Sequence, residues 1–296
     1  MSLKDRDGPH GMPDRARLEA DVRALAAPRH PRTSPDALRA AEDHVAREMG
    51  AAGLRVERQL FAFRGAEHHN VLGTLDGRDA GRPWVVVGAH FDSVPRSPGA
   101  DDNASGVAAM LEVARLLGRE SLGATVQFVG FNLEEIQDYL GSFRIGSREY
   151  ARSLRQRSQP LAGALVLEML AFTGPRQVVP AAVRLVKKVP RVGDFLAAIG
   201  DGGSAALLAA FERAAGDAVP LVTIAVPLKG WLVPDTRRSD NARFWDEGYR
   251  ALMLTDTAEL RNPNYHRESD RPETLDYGFL QRATLAVVRA VGAMAA

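Results

Sequence analysis

The chain has 296 residues, of which 45% are hydrophobic and 25% are charged, and this globular composition provides enough apolar residues for one large core. Its formal net charge of +1 gives no reason to expect nucleic acid or an anionic membrane as a partner. No run approaches ~18 uninterrupted apolar residues, so no membrane span is expected, and the lack of cysteine leaves His, Asp and Glu as the metal ligands.

The N-terminal residues predict no signal peptide, because MSLKDRDGPHGM contains no apolar core. We expect residues 1–13 to be disordered or derived from an expression vector, and residues 14–296 to form a single domain. As written, the chain suits the cytoplasm, and it suits export equally well if a leader has been removed.

The spacing of apolar residues predicts that strands and helices alternate along the chain. We expect helices over 14–25 and 34–49, strands over 54–63, 69–75 and 84–89, a helix over 105–117, and a strand over 124–132. Next come a helix over 146–157, a strand over 164–172, a surface excursion over 174–192, and a helix over 195–215 interrupted by glycine at 201–203. The last elements are strands over 221–226 and 251–255 and a helix over 275–294. This alternation predicts a three-layer α/β/α domain with a mostly parallel, mixed central sheet.

The stretch WVVVGAHFDS ends a buried strand with two chemically useful side chains. His90 and Asp92 point the same way because strand side chains alternate with period two. An imidazole beside a carboxylate suits a metal ligand and the partner that orients it. Asp101 and Asp102 follow before the next helix, where ligands of open α/β sheets collect. The alternative is that these residues have no common function, because a lone His-x-Asp is common and acidic residues before a helix are typical of a turn or helix cap.

Further acidic residues and a histidine occur near the ends of later strands. Glu134 and Glu135 face different directions, so one can bind a metal while the other acts as a base; the alternative is an exposed acidic turn. Glu168 lies in an otherwise apolar strand and needs either a metal or an arginine partner. His266 is in a polar loop, where a surface histidine is the alternative.

Charge balance favours a joint site over these separate alternatives. If Asp102, Glu135 and Glu168 converge with His90 and His266, three carboxylates repel one another unless cations are present. Three carboxylates and a hydroxide balance two Zn²⁺, and this mixture of oxygen and nitrogen ligands suits zinc or related first-row ions. Two such ions make a nucleophile from water at neutral pH.

Six motifs follow one another between residues 70 and 277: GAHFDS, PGADDNASGVAAMLEVARLL, GFNLEE, LVLEML, SDNARFWDEGYRALMLTDTAELRNPNYH and DRPETLDY. In content and order they resemble the zinc-dependent aminopeptidases that share a fold with glutamate carboxypeptidase and glutaminyl cyclase. The resemblance implies a zinc-exopeptidase fold, also described as phosphorylase/hydrolase-like, and makes residues 14–296 a metallopeptidase domain.

The resemblance also implies a role for each site residue. The implied metal ligands are His90, Asp102, Glu135, Glu168 and His266. Asp102 would bridge two zinc ions, and Asp92 would orient His90. Glu134 would be the general base that takes a proton from water and passes it to the leaving amine.

Three features depart from the family pattern. Glu168 stands where the family usually has Asp, and its side chain is one methylene longer. Either two zinc ions still bind, or the ion that Glu168 would hold binds weakly and only one ion remains. The segment after Glu135 is longer than usual, which places Tyr139 and its neighbours at the pocket wall. Asn241 replaces a histidine that is not a metal ligand, which bears on substrate contact.

No readable motif encodes the preferred substrate side chain. We expect the pocket to be built by the segment after Glu135, residues 176–191 and the glycine-rich stretch near Gly202. Trp231 and Phe244 are candidate pocket walls, with ordinary core positions as the alternative.

These observations predict a metal-dependent exopeptidase, an aminopeptidase that acts on peptides with Glu134 as base. The alternatives are an enzyme with one zinc that resembles glutaminyl cyclase, and a binding module that has lost catalysis on the same fold. The sequence leaves the oligomeric state open.

Overall fold

The structure, a computed structural model, describes residues 10–136 and 141–296. In this part of the chain eight strands form one mixed sheet: β1 (Arg55–Phe63), β2 (Ala66–Leu75), β3 (Trp84–His90), β4 (Val126–Phe131), β5 (Leu161–Glu168), β6 (Leu196–Asp201), β7 (Leu221–Val226) and β8 (Ala251–Thr255). They lie side by side in the order β1-β2-β4-β3-β5-β8-β6-β7. The pairs β3/β4, β3/β5, β5/β8 and β6/β7 are parallel, and β1/β2, β2/β4 and β6/β8 are antiparallel.

Helices cover both faces of this sheet. They are α1 (Arg15–Leu25), α2 (Pro35–Ala51), α3 (Gly106–Leu117), α4 (Ile145–Gln156), α5 (Ala181–Val186), α6 (Ala205–Ala215), α7 (Asn241–Asp246) and α8 (Tyr277–Ala295). Strand β3 shows why there are two cores: Val85 and Val87 pack in one cluster with α3 and α8, while Val86 faces the other cluster. That second cluster contains Tyr150 of α4 and Phe244 of α7. The predicted three-layer α/β/α architecture is therefore confirmed.

The ends of the helices follow local sequence signals. The Asp14 carboxylate accepts hydrogen bonds from the N–H groups of Ala16 and Arg17 at the start of α1. Helix α2 begins at Pro35, which needs no N–H partner in the first turn. Asp276 caps α8 by accepting from the N–H of Phe279.

One predicted element is wrong and another ends early. The predicted helix over 195–215 is a strand, β6, followed by a 3₁₀ turn (Gly202–Ser204) and α6. The run LAAIG is fully buried between β8 and β7, and this pairing overrides the helical preference of its alanines. The predicted strand over 164–172 stops at Glu168, because Met169 adopts a left-handed φ of 51°.

The prediction for residues 1–13 falls mostly on residues 1–9, which are outside the described part of the chain. In the described part, every helix is either too short or too polar to cross a bilayer. Strands β3, β4, β5 and β8 run in the same direction, so their carboxyl ends meet at one edge of the sheet. That edge carries the candidate site.

Candidate metal centre

The predicted ligands come together at this edge from different parts of the chain. His90 and Glu168 are the last residues of β3 and β5. Asp102 lies in the irregular turn Ala100–Ser105 that leads into α3. Glu135 follows β4, and His266 lies in the loop after β8.

Two groups of ligand atoms form around Asp102. In the first, Nε2 of His90 lies 3.3 Å from Oδ1 of Asp102 and 3.6 Å from Oε2 of Glu168. In the second, Nε2 of His266 lies 3.1 Å from Oδ2 of Asp102 and 3.3 Å from Oε2 of Glu135. Within each group the ligand atoms are all less than 4.8 Å apart, which is close enough to surround an ion. Because its two oxygens face different histidines, Asp102 belongs to both groups.

The charged side chains of the centre change one another's proton affinity. Burial raises the pKa of Glu135 to about 7, and the Asp102 carboxylate adds to this rise. Burial also opposes ionisation of Asp102, but hydrogen bonds from His266 and His90 outweigh it and lower the pKa of Asp102. Burial works against a charged imidazole, yet hydrogen bonds to Asp102 and Glu135 raise the pKa of His266 to about 10. Without metal, protons supply the positive charge that divalent cations would otherwise bring.

Glu134 lies beside the ligands without belonging to either group. Its side chain is buried, and burial raises its pKa well above the ordinary range. Among the residues that the structure describes, Oε1 of Glu134 has no hydrogen-bond partner. An orphaned carboxylate oxygen next to three carboxylates and two imidazoles fits a zinc centre, where it would be available to accept a proton.

Asp92 contacts His90 and also the backbone after β4, and only the first of these contacts was predicted from the sequence. Its Oδ1 lies 3.5 Å from Nδ1 of His90, as expected for an orienting partner. The same carboxylate also accepts hydrogen bonds from the backbone N–H of Glu134 (3.0 Å) and of Glu135 (3.1 Å). Asp92 therefore connects the candidate ligand His90 on β3 with the backbone of Glu134 and Glu135 after β4.

Two other positioning contacts were not predicted. The Ser239 hydroxyl donates to Oε2 of Glu168 at 2.6 Å, which holds the longer side chain that replaces the usual Asp. Asp270 accepts from the backbone N–H of Asp101 (2.9 Å) and of Asp102 (3.1 Å), fixing the turn that carries the shared ligand. Ser239 and Asp270 each begin a quoted motif, SDNARF and DRPETLDY, so motif membership was the available signal.

An apolar cavity of about 100 Å³ adjoins the centre. Glu168 and Tyr265 line the end nearest the ligands, and the Tyr265 ring stacks on His266 with ring centroids 3.8 Å apart. The apolar walls come from α5, from loops and from β6, β7 and β8, and include Val183, Phe195, Ile199, Val222, Ile224 and Met253. Of the segments predicted to build the substrate pocket, residues 176–191 contribute wall residues between Gln177 and Val189 to this cavity, whereas Gly202 does not line it.

The remaining pocket predictions have mixed outcomes. Tyr139 lies outside the described residues. Phe244 is fully buried core, and Trp231 is neither core nor cavity wall, because 66% of it is exposed. Asn241 is completely buried and donates to the carbonyl of Thr236, a cavity residue, so its effect on a substrate is indirect.

Comparison with known proteins gives matches over most of the chain. A profile described as peptidase family M28 matches residues 70–291. The uncharacterized protein YfbL of Escherichia coli is 30% identical over 280 residues, which cover 90% of this chain and 84% of YfbL. The probable lipoprotein aminopeptidase LpqL of Mycobacterium tuberculosis is 31% identical over 224 residues, or 70% of this chain. That match spans 42% of LpqL, less than half of its length.

A solved structure shares the fold. The aminopeptidase from Aneurinibacillus sp. strain AM-1 superposes with a TM-score of 0.73, covering 96% of this chain and 94% of that protein. Its sequence identity of 17% means that this likeness concerns the fold.

Proposed function

Because the chain belongs to peptidase family M28, we propose that it is an aminopeptidase that removes N-terminal residues from peptides at a centre of two zinc ions. Family membership makes it a metal-dependent peptidase. The two-ion proposal rests on one observation, the pair of ligand groups that share Asp102.

Each group would hold one ion. His90 and Glu168 would hold the first, Glu135 and His266 the second, and Asp102 would bind both. When bound, two such ions lower the pKa of a water and polarise the carbonyl that it attacks.

Glu134 would move the proton in this reaction. Its buried Oε1 lacks a partner among the described residues, so it can accept the proton of the attacking water and later donate it to the leaving amine. The hydrogen bond from the Glu134 N–H to Asp92 fixes the backbone of this base relative to His90.

The cavity favours substrates whose N-terminal residue has an apolar side chain. It begins at Glu168 and Tyr265 beside the ligand groups, and its walls are mainly aliphatic and aromatic. A peptide with its first carbonyl at the centre would direct its first side chain into this cavity, and burial of that side chain would favour binding.

The decisive experiment combines turnover with metal content. We expect Glu134→Gln to lower kcat on a leucyl peptide about 10³-fold while two zinc ions per chain are retained, because the base is lost and the ligands remain. Glu149→Gln on α4 is the control and should leave kcat unchanged. Retention of turnover in Glu134→Gln with both ions bound would show that the proposed proton path is wrong.

A cyclase with a single zinc is the alternative to exclude. The complete first group, with Glu168 held by Ser239, favours two ions and therefore the peptidase. Peptides that begin with Gln distinguish the reactions: a peptidase releases free glutamine, whereas a cyclase forms a pyroglutamyl peptide without hydrolysis.

A further inference from the structure

The segment between β5 and β6 carries a local concentration of positive charge. Residues 176–193 contain five Lys or Arg and no Asp or Glu, although the whole chain has a net charge of +1. These five residues are Arg176, Arg184, Lys187, Lys188 and Arg191, and all of them are exposed. None of them forms an ion pair with a residue in the described ranges 10–136 and 141–296. The low net charge of the chain therefore conceals a strongly basic segment.

The turn after β7 exposes apolar side chains in a fixed arrangement. Three of them are 68%, 66% and 63% exposed, respectively: Leu228, Trp231 and Leu232. The guanidinium of Arg237 covers the Trp231 ring at 4.1 Å, and Arg237 is itself held by Asp246 at 2.6 Å. Leu228 and Lys229 have left-handed φ angles of 49° and 53°, an unfavourable backbone for side chains of this kind. The turn thus presents three apolar side chains to solvent.

The basic segment and the apolar turn lie together at the edge of the sheet that β7 forms. Nζ of Lys187 is 3.5 Å from Oγ1 of Thr223 on this strand. Val189 from the segment and Val233 from beyond the turn line the same cavity. We call residues 176–193 and 227–232 together the basic apolar face.

We propose that the basic apolar face docks on a membrane surface that contains anionic phospholipids. Trp231 and its neighbouring leucines would enter the headgroup region, where amphipathic Trp side chains are stabilised. The five unpaired cations would contact lipid phosphates, as basic segments beside apolar anchors do. Two exposed acids, Asp194 and Asp235, border the face and leave its charge positive.

A second copy of the chain fits this face less well. A twofold dimer through the face would place the two basic segments close together, and their positive charges would repel. Protein interfaces are also depleted in lysine at their centre, whereas Lys187, Lys188 and Lys229 surround the apolar turn.

Co-sedimentation with lipid vesicles tests the proposal directly. We expect the full chain to bind vesicles of phosphatidylcholine mixed with phosphatidylglycerol, to bind pure phosphatidylcholine far less, and to dissociate at high salt. Of the three tryptophans, Trp245 is fully buried, Trp84 is half-buried and Trp231 is exposed, so burial of Trp231 in lipid should shift tryptophan emission to shorter wavelength. Trp231→Ala should weaken binding about tenfold and abolish most of that shift.

Charge variants and matched controls complete the test. The double variant Lys187→Ala and Lys188→Ala should weaken binding about 25-fold, or about fivefold for each cation. Leu60→Ala and Arg119→Ala, which alter exposed residues elsewhere, should bind like the parent, and every variant should keep peptidase turnover on a soluble peptide.

Three outcomes would overturn the proposal. One is binding to mixed vesicles no stronger than to pure phosphatidylcholine. Another is binding that the Trp231 and lysine variants leave unchanged. The third is a dimer that light scattering detects without lipid. Dimer formation would itself shift tryptophan emission, and Trp231→Ala would abolish the dimer. Peptidase turnover is measured separately, so failure here leaves the proposed function standing.

Discussion

The two halves of the metal centre are built on different kinds of structure. His90 and Glu168 end the adjacent parallel strands β3 and β5, and their side chains are 1% and 13% exposed. Glu135 and His266 lie in loops, and the His266 side chain is 31% exposed. We call the first pair the strand half and the second the loop half, with Asp102 shared by both.

This difference shows how one centre can combine rigidity with access. The strand half takes its geometry from the register of the sheet, in which His90 pairs with Phe131 of β4 and Glu168 pairs with Thr255 of β8. The loop half depends on contacts between loops: Asp92 accepts from the Glu135 N–H, and Tyr265 stacks on His266. His266, the most exposed of the candidate ligands, also lines an open groove with Pro95 and Arg96.

Removing one imidazole from each half should give the largest effect and the sharpest contrast. His90→Ala and His266→Ala should each weaken one ion by more than about 100-fold, since a ligand contributes more than an outer partner. In metal-free protein, His90→Ala should lower the unfolding free energy by about 3 kcal/mol, because it leaves buried carboxylates without a countercharge.

In metal-free protein, His266→Ala should lower the unfolding free energy by only about 1 kcal/mol, because His266 is partly exposed and solvent screens its charge. Chelator competition measures the affinities, and urea unfolding of the metal-free variants measures the stabilities. Equal destabilisation by the two substitutions would show that the halves do not differ in the way their geometry indicates.

The pH dependence of metal-free protein should separate the groups of the loop half. In the folded chain the pKa of Glu135 is raised from 4.5 to about 7, and that of His266 from 6.5 to about 10. A raised pKa favours the folded state while the group is protonated, so this stability is lost as pH rises. The loss should extend from pH 4.5 to 7 for Glu135 and from pH 6.5 to 10 for His266.

Zinc should reverse this trend, because binding displaces the same protons. Affinity should therefore rise with pH by about tenfold per unit for each proton released. Urea midpoints of chelated protein across this range provide the measurement, and His266→Ala should flatten the upper part of the curve. Stability of chelated wild-type protein that rises from pH 7 to 10 would contradict the assigned charges.

Ser239→Ala should produce a smaller effect that is confined to the strand half. Loss of the hydroxyl that holds Glu168 should weaken that ion about tenfold and leave the ion of the loop half unchanged. Ser239→Thr retains a hydroxyl and should restore most of the affinity. If both ions weaken equally in Ser239→Ala, Ser239 acts on the fold of the whole centre.

The smallest expected effect concerns the cavity, which belongs to neither half. Ile199 lines the cavity, and the larger side chain of Ile199→Phe would fill part of it. The value of kcat/KM for leucyl peptides should therefore fall about tenfold relative to the value for alanyl peptides. Metal content should not change, and Leu60→Phe, at an exposed position on β1 outside the cavity wall, is the control. An unchanged ratio of leucyl to alanyl turnover would place the substrate side chain elsewhere.

Much of the centre could be predicted because its signals are local in sequence. His90 and Asp92 follow a buried strand, and Glu134 and Glu135 follow the next one, so alternation and strand direction sufficed to bring them together. Helix α8 and the strands with branched side chains were equally clear. The error at 195–201 arose because Ala197 and Ala198 favour a helix by local preference, and pairing with β7 and β8 overrode that preference.

What the sequence determined by itself was the fold class, the family, and the residue types available at the ends of the strands. The tertiary structure decided the contacts between distant segments: Ser239 with Glu168, Asp270 with the turn at Asp102, and the joining of a basic segment to an apolar turn. The physical reason is that periodicity and motifs report forces between neighbours in the chain. Distances between separate loops depend on the packing of the whole sheet and its helices.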